Sequence, residues 1–128
     1  MTCIFCHSIA PEQILFETNA FKLVFDINPI QTGHLLLIAK EHYQSITQLP
    51  PPVLHELVET EVYIVRLLET HLPIDGVTLA SNDKELMDNG THFHVHFIPR
   101  CKHDGFWEPL ALTPKNWDLQ PFLAALPS

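Results

Sequence analysis

Basic residues are scarce in this chain of 128 residues: seven Lys and Arg stand against fifteen Asp and Glu, which gives a formal net charge of -8. This balance argues against the phosphate-neutralising surface that DNA or RNA binding needs, so no nucleic acid polymer is expected as a partner. A small anionic ligand remains compatible, because a pocket of imidazoles and backbone amides requires no global positive charge.

Long apolar runs are also missing, although 46% of the residues are hydrophobic. The absence of a long uncharged apolar stretch predicts no membrane span. The first residues lack the basic start and apolar region of a signal peptide, which predicts a cytoplasmic protein. The three cysteines are an odd count that argues against a disulfide framework. The length predicts one domain with a single core.

Three histidines, His92, His94 and His96, alternate with apolar residues in the stretch 91–100. A strand sends successive side chains to opposite faces, so the imidazoles are predicted to share one face and the apolar side chains the other. Neighbouring imidazoles would lie about 6.6 Å apart along such a strand, and the outer two about 13 Å. One metal ion cannot easily take all three, whereas a pair can chelate one ion. The spacing therefore indicates that the three histidines have different roles.

The rest of the pattern predicts four more strands and one long helix. Strands are expected at 14–18 and 21–26, joined as a hairpin, at 35–39 as a buried central strand, and at 77–80. Leucine and valine recur at three- and four-residue spacings after Pro50-Pro51-Pro52, which predicts an amphipathic helix of about 20 residues on one face of the sheet. The apolar run 122–126 is compatible with a short helix or a partner contact. The fold class is therefore α+β.

Several blocks agree in order and spacing with a known family. The blocks are Phe25-Asp26-Ile27, Gly33-His34, Lys40-Glu41-His42 and His92-x-His94-x-His96. They resemble the histidine triad family of nucleotide hydrolases and transferases. The resemblance runs from Cys3 to Arg100, about four-fifths of the chain. It implies one histidine triad domain over 1–128, with a core at 3–100 and a C-terminal tail at 101–128. It also implies a five-stranded antiparallel sheet with one long helix and short helices, and a homodimer.

The resemblance implies a nucleotidyl-histidine mechanism. His94 would attack the α-phosphorus of a nucleoside phosphate that carries an amine, a nucleotide or another leaving group, and water would hydrolyse the intermediate. His96 and His34 would shape the phosphate pocket. Neutral imidazole is a nucleophile near neutral pH when an acceptor holds its other nitrogen. No magnesium is required if imidazoles and amides supply the compensating positive potential.

The same resemblance implies a purine nucleotide at the end of the second strand. Asp26 matches the acidic residue that holds the ribose hydroxyls, and Phe25 and Ile27 would flank the base. From the residues alone, a strand-end aspartate and two core side chains are the favoured interpretation. Asn82 matches the family's polar phosphate-loop position when a gap is allowed.

The loop before the histidine row departs from the family. Many members place a Gly-Gln pair and a Ser or Thr there as hydrogen-bond donors, whereas this chain has 86–91, Leu-Met-Asp-Asn-Gly-Thr. Asp88 would repel a polyphosphate unless it is protonated or turned away, since like charges in a dry pocket are costly. Asn89 and Thr91 are expected to supply replacement donors.

The N-terminal Cys3-x-x-Cys6 pair is by itself compatible with a redox pair, half a zinc site or two buried thiols. In zinc-bearing members of the family the ligands are a CxxC pair, a histidine after the central strand and the first triad histidine. The resemblance therefore implies structural zinc on Cys3, Cys6, His42 and His92, a set that also tethers the N-terminus to the sheet.

Three functions stay open at this point. The first is a histidine triad hydrolase or nucleotidyltransferase, acting through His94 on nucleoside phosphoramidates, dinucleoside polyphosphates or similar nucleotide esters. The second is a hydrolase with zinc-activated water, in which His92 and His94 chelate the ion and a chelator abolishes activity at once. The third is a nucleotide-binding module without turnover, which the altered loop suggests.

Overall fold

Five antiparallel strands form one sheet in the order β1-β2-β3-β5-β4. The structure is a computed structural model that describes residues 3–106 and 113–127. The strands are β1 (Ile14–Glu17), β2 (Phe21–Phe25), β3 (Leu35–Ala39), β4 (Gly76–Ala80) and β5 (His94–Arg100). The helices are α1 (Ile4–His7), α2 (Pro51–His71) and α3 (Gln120–Ala125), with 3₁₀ turns at Pro11–Gln13, Ile46–Gln48 and Lys84–Leu86. The predicted α+β class with a five-stranded antiparallel sheet is confirmed.

The central place of β3 follows from its sequence. All five of its residues are buried, and it pairs with β2 on one side and with β5 on the other. An apolar run without alternation is what a strand covered on both faces requires. In the ladder with β5, Leu36 lies opposite His96 and Ile38 lies opposite His94. The histidines of β5 are therefore held against the most buried strand of the sheet.

Two different layers cover the two faces of the sheet. The helix α2 begins directly after Pro50, and its Leu57 and Ile64 are buried in one core cluster with the alternate apolar residues of β5. On the other face, Cys3 and Phe5 of the N-terminal segment pack on Val24, Leu36 and Ile38. Because side chains alternate along a strand, His94 and His96 point to the N-terminal segment and not to the helix.

One carboxylate ties α2 to the turn between β1 and β2. Glu56 Oε2 accepts hydrogen bonds from the Thr18 hydroxyl and, at 2.7 Å, from the backbone N–H of Ala20. This bond pair fixes the turn to the helix that covers the core.

The start of β5 differs from the prediction. The strand begins at His94, so His92 lies in the preceding segment and not on the strand with the other two histidines. The backbone N–H of Phe93 donates to the carbonyl of Tyr43, 2.7 Å away and beyond the end of β3. The chain at 92–93 therefore runs beside the end of β3 and the loop after it, and the His92 ring stays on the side of Phe5, as the His94 ring does.

None of the helices in the described ranges is long and apolar enough to cross a membrane. The tail holds α3 close to the run at 122–126, while 107–112 lies outside the described residues. The division into a core and a tail stays a prediction, as does the homodimer.

Candidate active site

A cleft of about 240 Å³ lies between the N-terminal segment, the end of β2 and the histidine side of β5. Its walls include the residues Phe25, Ile27 and Ile4, which are 56%, 79% and 46% exposed. Large apolar side chains left open at a cleft mark a surface that a ligand can cover. His94 and His96 lie in the same cleft, so the apolar wall and the imidazoles face one space.

His94 is held in one tautomer. Its Nδ1 lies 2.7 Å from the backbone carbonyl oxygen of His92, and a carbonyl can only accept, so Nδ1 carries the proton and Nε2 the lone pair. Burial lowers the pKa of His94, against opposing contributions from the His92 carbonyl, Asp88 and Asp26. The ring also packs edge-on against Phe5, with 4.9 Å between ring centroids. His94 is thus a neutral, oriented imidazole with a free nucleophilic nitrogen.

His34 and His96 form a hydrogen-bonded pair whose tautomers can be assigned from the backbone. The N–H of Ile30 donates to His34 Nδ1 at 3.2 Å, so the proton of a neutral His34 is on Nε2. That nitrogen lies 2.9 Å from His96 Nδ1 and donates to it. The proton of a neutral His96 is then on Nε2, which makes His96 a hydrogen-bond donor for a ligand in the cleft.

Burial keeps both imidazoles of this pair neutral. It lowers the pKa of His34, with the Asp26 carboxylate opposing. It lowers the pKa of His96 to about 4, and the neighbouring His94 and His34 add to the effect while Asp26 and Asp88 oppose it. At neutral pH the cleft therefore presents uncharged histidines.

Asp26 lies beside this histidine pair at the end of β2. Its Oδ1 accepts a hydrogen bond from the Asn28 N–H at 2.8 Å, and its Oδ2 is 3.4 Å from His34 Nε2 and 3.9 Å from His96 Nδ1. The carboxylate lines the cleft next to Phe25 and Ile27. The structure thus brings together the three residues that were predicted to hold base and ribose, and their role stays a prediction.

A second cluster lies at the other end of the N-terminal segment. The donor atoms of Cys3, Cys6, His42 and His92 all lie within 4.8 Å of one another. His92 Nδ1 is 3.2 Å from Cys3 Sγ and 3.5 Å from Cys6 Sγ, and His42 Nδ1 is 3.2 Å from Cys6 Sγ. The chain thus gathers two thiols and two imidazole nitrogens from three distant parts of the sequence.

The surroundings of these donors fit a metal ion. His92 Nε2 donates to the backbone carbonyl of Ala39, which leaves the Nδ1 lone pair facing the thiols. His42 Nε2 lies beside the side-chain amide of Gln44. Metal-ligating histidines usually hold their second nitrogen in this way, and a set of two Cys and two His suits closed tetrahedral zinc. Among the described residues, the donor group that contains His92 does not include His94.

Other predicted binding residues are not all brought to the cleft. Asn82 is exposed in the segment after β4 and lines neither this cleft nor the cavity of about 480 Å³ beside the metal cluster. Asn89 lines only that second cavity, whereas Thr91 and Asp88 line both. The Thr91 hydroxyl donates to the backbone carbonyl of Asp88 at 2.6 Å. Asn82 and Asn89 therefore stay predictions without a contact to the histidine row.

Sequence reasoning missed Phe5 and the backbone groups that orient the histidines. Phe5 is buried and sits edge-on to both His92, at 5.6 Å, and His94. Its position between two predicted zinc ligands was the signal that could have found it. The carbonyls of His92 and Ala39 and the N–H of Ile30 have no such signal, because every residue carries the same backbone groups.

Comparison with known proteins gives one family. The HIT domain family matches residues 8–103. Among solved structures, a zinc-bound histidine triad family protein from Mycobacterium smegmatis is 31% identical, covers 81% of this chain and 78% of its own, and superposes with a TM-score of 0.69.

Three relatives have names that state an activity. An adenylylsulfatase of Arabidopsis thaliana is 30% identical over 82% of this chain and 55% of its own length. A bis(5′-adenosyl)-triphosphatase of Dictyostelium discoideum is 29% identical over 75% of this chain and 65% of its own length. An adenosine 5′-monophosphoramidase of Candida albicans is 29% identical over 77% of this chain and 70% of its own length. The family match covers most of this chain, and the cluster of Cys3, Cys6, His42 and His92 supports the zinc-bearing branch of that family. The chain therefore belongs to the histidine triad (HIT) family.

Proposed function

We propose that this protein is a nucleotide hydrolase that cleaves the α-phosphate bond of a purine nucleotide through a nucleotidyl-His94 intermediate. The observation that carries the proposal is the orientation of His94, whose Nδ1–H is held by the His92 carbonyl at 2.7 Å inside the cleft. A neutral imidazole fixed in this tautomer has its nucleophilic lone pair on Nε2. The names of the relatives support the substrate class, since each denotes cleavage of an adenosine 5′-phosphate compound.

Each of the main residues of the cleft has a separate role in the proposed reaction. The base covers the exposed apolar surfaces of Phe25 and Ile27, and Asp26 accepts hydrogen bonds from the ribose hydroxyls. His94 Nε2 attacks the α-phosphorus, and the bond from phosphorus to the leaving group breaks. Water then displaces His94 and releases the nucleoside monophosphate. The Nε2–H of His96, oriented through His34, donates to a phosphate oxygen and stabilises the charge that develops there.

We further propose that Cys3, Cys6, His42 and His92 hold a structural zinc ion. In this position the ion supplies no step of the reaction and ties the N-terminal segment to the sheet. Ile4 and Phe5 of that segment line the cleft, so the tether also defines one wall of the nucleotide site. The alternative with zinc-activated water on His92 and His94 has less support, because His92 Nδ1 faces the thiols and His94 Nδ1 faces a carbonyl.

The test is the release of AMP from adenosine 5′-phosphoramidate without added metal. Wild type should turn over, and His94→Ala should lose at least about a thousandfold in rate because the nucleophile is gone. His55→Ala is the matched control, since this histidine is exposed on α2 beside Glu59 and should keep full activity. A wild type that binds nucleotide without product, unchanged by His94→Ala, would favour the binding module instead.

A further inference from the structure

The cleft carries two carboxylates, and no lysine or arginine lines it in the ranges that the structure describes. Asp26 reaches it from the end of β2, where it faces the His34 and His96 pair. Asp88 reaches it from the loop before β5, where it lines the cleft together with Thr91 and His94. The cleft is therefore acidic around the nucleophile.

The position of Asp88 is fixed by its own backbone. Its carbonyl accepts hydrogen bonds from the N–H of Thr91 at 3.3 Å and from the Thr91 hydroxyl at 2.6 Å. The side-chain carboxylate takes no part in this turn. A change from Asp88 to asparagine therefore alters the charge at the cleft and keeps the hydrogen bonds that hold the loop.

We propose that Asp88 selects the leaving group, so that amines are accepted and polyphosphates are disfavoured. This inference rests on the proposed function and names its substrate class: nucleoside 5′-phosphoramidates, in particular those whose amine carries a further positive charge. The leaving group of a dinucleoside polyphosphate carries several negative charges, which the two carboxylates repel. The leaving group of a phosphoramidate is ammonia or an amine, which is neutral or cationic. Specificity then comes from repulsion of the wrong leaving group as much as from attraction of the right one.

The reaction balances for an amine. His94 Nε2 forms the bond to phosphorus, the P–N bond breaks, and the nitrogen keeps its electron pair and takes a proton from water. In the second half a water oxygen bonds to phosphorus, the proton of that water passes to the hydroxide left from the first half, the bond from phosphorus to His94 breaks, and the imidazole is restored. One water is consumed in all, and the products are the amine and the nucleoside monophosphate.

The experiment compares three substrates that share AMP and differ in the charge of the leaving group. They are adenosine 5′-phosphoramidate, AMP joined through nitrogen to 1,2-diaminoethane, and diadenosine triphosphate. Wild type should show kcat/KM in the order diaminoethane conjugate, phosphoramidate, triphosphate. In Asp88→Asn the triphosphate should gain about tenfold, as expected when one unit charge is removed from a partly solvated cleft, and the diaminoethane conjugate should lose its advantage.

The matched control is Glu85→Gln, which removes one charge from the same loop. Glu85 lines only the second cavity, so this variant should keep the wild-type order of substrates. Two outcomes would overturn the assignment of Asp88 even though AMP is released. One is a wild-type kcat/KM for diadenosine triphosphate equal to that for the phosphoramidate. The other is an Asp88→Asn variant whose kcat/KM ratios among the three substrates match those of wild type. No AMP from any of the three substrates would overturn the proposed function itself.

Discussion

Replacement of Cys6 by serine tests the proposed zinc tether most directly. Cys6 is exposed, so the substitution opens no cavity, yet its Sγ lies 3.2 Å from His42 Nδ1 and 3.5 Å from His92 Nδ1. Any large loss of stability must then come from the metal and not from packing. The matched control is Cys101→Ser, which changes an exposed free cysteine outside the cluster.

The expected size of the effect follows from linkage. With free zinc at about 100 times the dissociation constant, binding adds about 2.7 kcal/mol to the free energy of unfolding. For a chain of 128 residues, about 2.1 cal/mol/K of unfolding entropy per residue gives about 0.27 kcal/mol/K. The melting temperature should therefore fall by about 10 °C when the metal is lost.

The assay is thermal unfolding with and without a chelator, together with the zinc content of the purified protein. Wild type and Cys101→Ser should carry zinc and should lose stability in the chelator. Cys6→Ser should carry far less zinc, melt lower and respond little to the chelator. Wild-type protein that contains no zinc and melts at the same temperature under both conditions would refute the tether.

Two further predictions concern pH and the helix anchor. Burial depresses the pKa of His94 and lowers that of His96 to about 4, so kcat/KM measured with zinc present should hold through the ordinary histidine value of about 6.5 and fall only at lower pH. An acid limb centred at or above the ordinary value would contradict this reasoning. Glu56→Ala should lower the free energy of unfolding by about 2 to 3 kcal/mol in denaturant titration, because it removes two hydrogen bonds to a half-buried carboxylate. The exposed Glu59→Ala should change it by less than about 0.5 kcal/mol, and equal effects would contradict the role of the anchor.

The pH prediction has a definite sign for stability too. A histidine whose pKa is lowered in the folded state prefers to be neutral there, so its contribution is fully present above the unfolded value of about 6.5. As the pH falls below that value, the histidine binds a proton in the unfolded chain but not yet in the folded protein, which lowers the free energy of unfolding. The contribution of His96 is then lost progressively until about pH 4, where the folded protein protonates as well.

The fold could be predicted well wherever side-chain pattern determines burial. The uninterrupted apolar run of β3 has one stable position in the sheet, at the centre, and it lies there. The alternation after His94 likewise determines which face of β5 carries the imidazoles. His92 keeps this alternation but lies before the strand, because a period of two reports only side-chain alternation and not where backbone pairing begins. At this point the backbone N–H of Phe93 donates to the carbonyl of Tyr43, beyond the end of β3.

The candidate site was only partly predictable for a related reason. The donor groups of the metal cluster are side chains with distinctive chemistry, so the resemblance could name all four of them. The groups that determine the histidine tautomers are a carbonyl of His92 and an N–H of Ile30, which exist at every residue and become specific only through the fold. Asn82 could be placed only by allowing a gap, and an uncertain register in a loop does not determine which side chain reaches a cleft.

His92 links the cysteine and histidine cluster to the active-site cleft, because its side chain belongs to the cluster and its backbone contacts His94. Its imidazole faces the thiols, and its carbonyl holds the proton of His94. With zinc bound as proposed, the torsion angles of His92 would be set by the ion, and they would in turn set the direction of the carbonyl that aligns the nucleophile. Metal content and catalytic alignment would then rise and fall together over a path of a few covalent bonds.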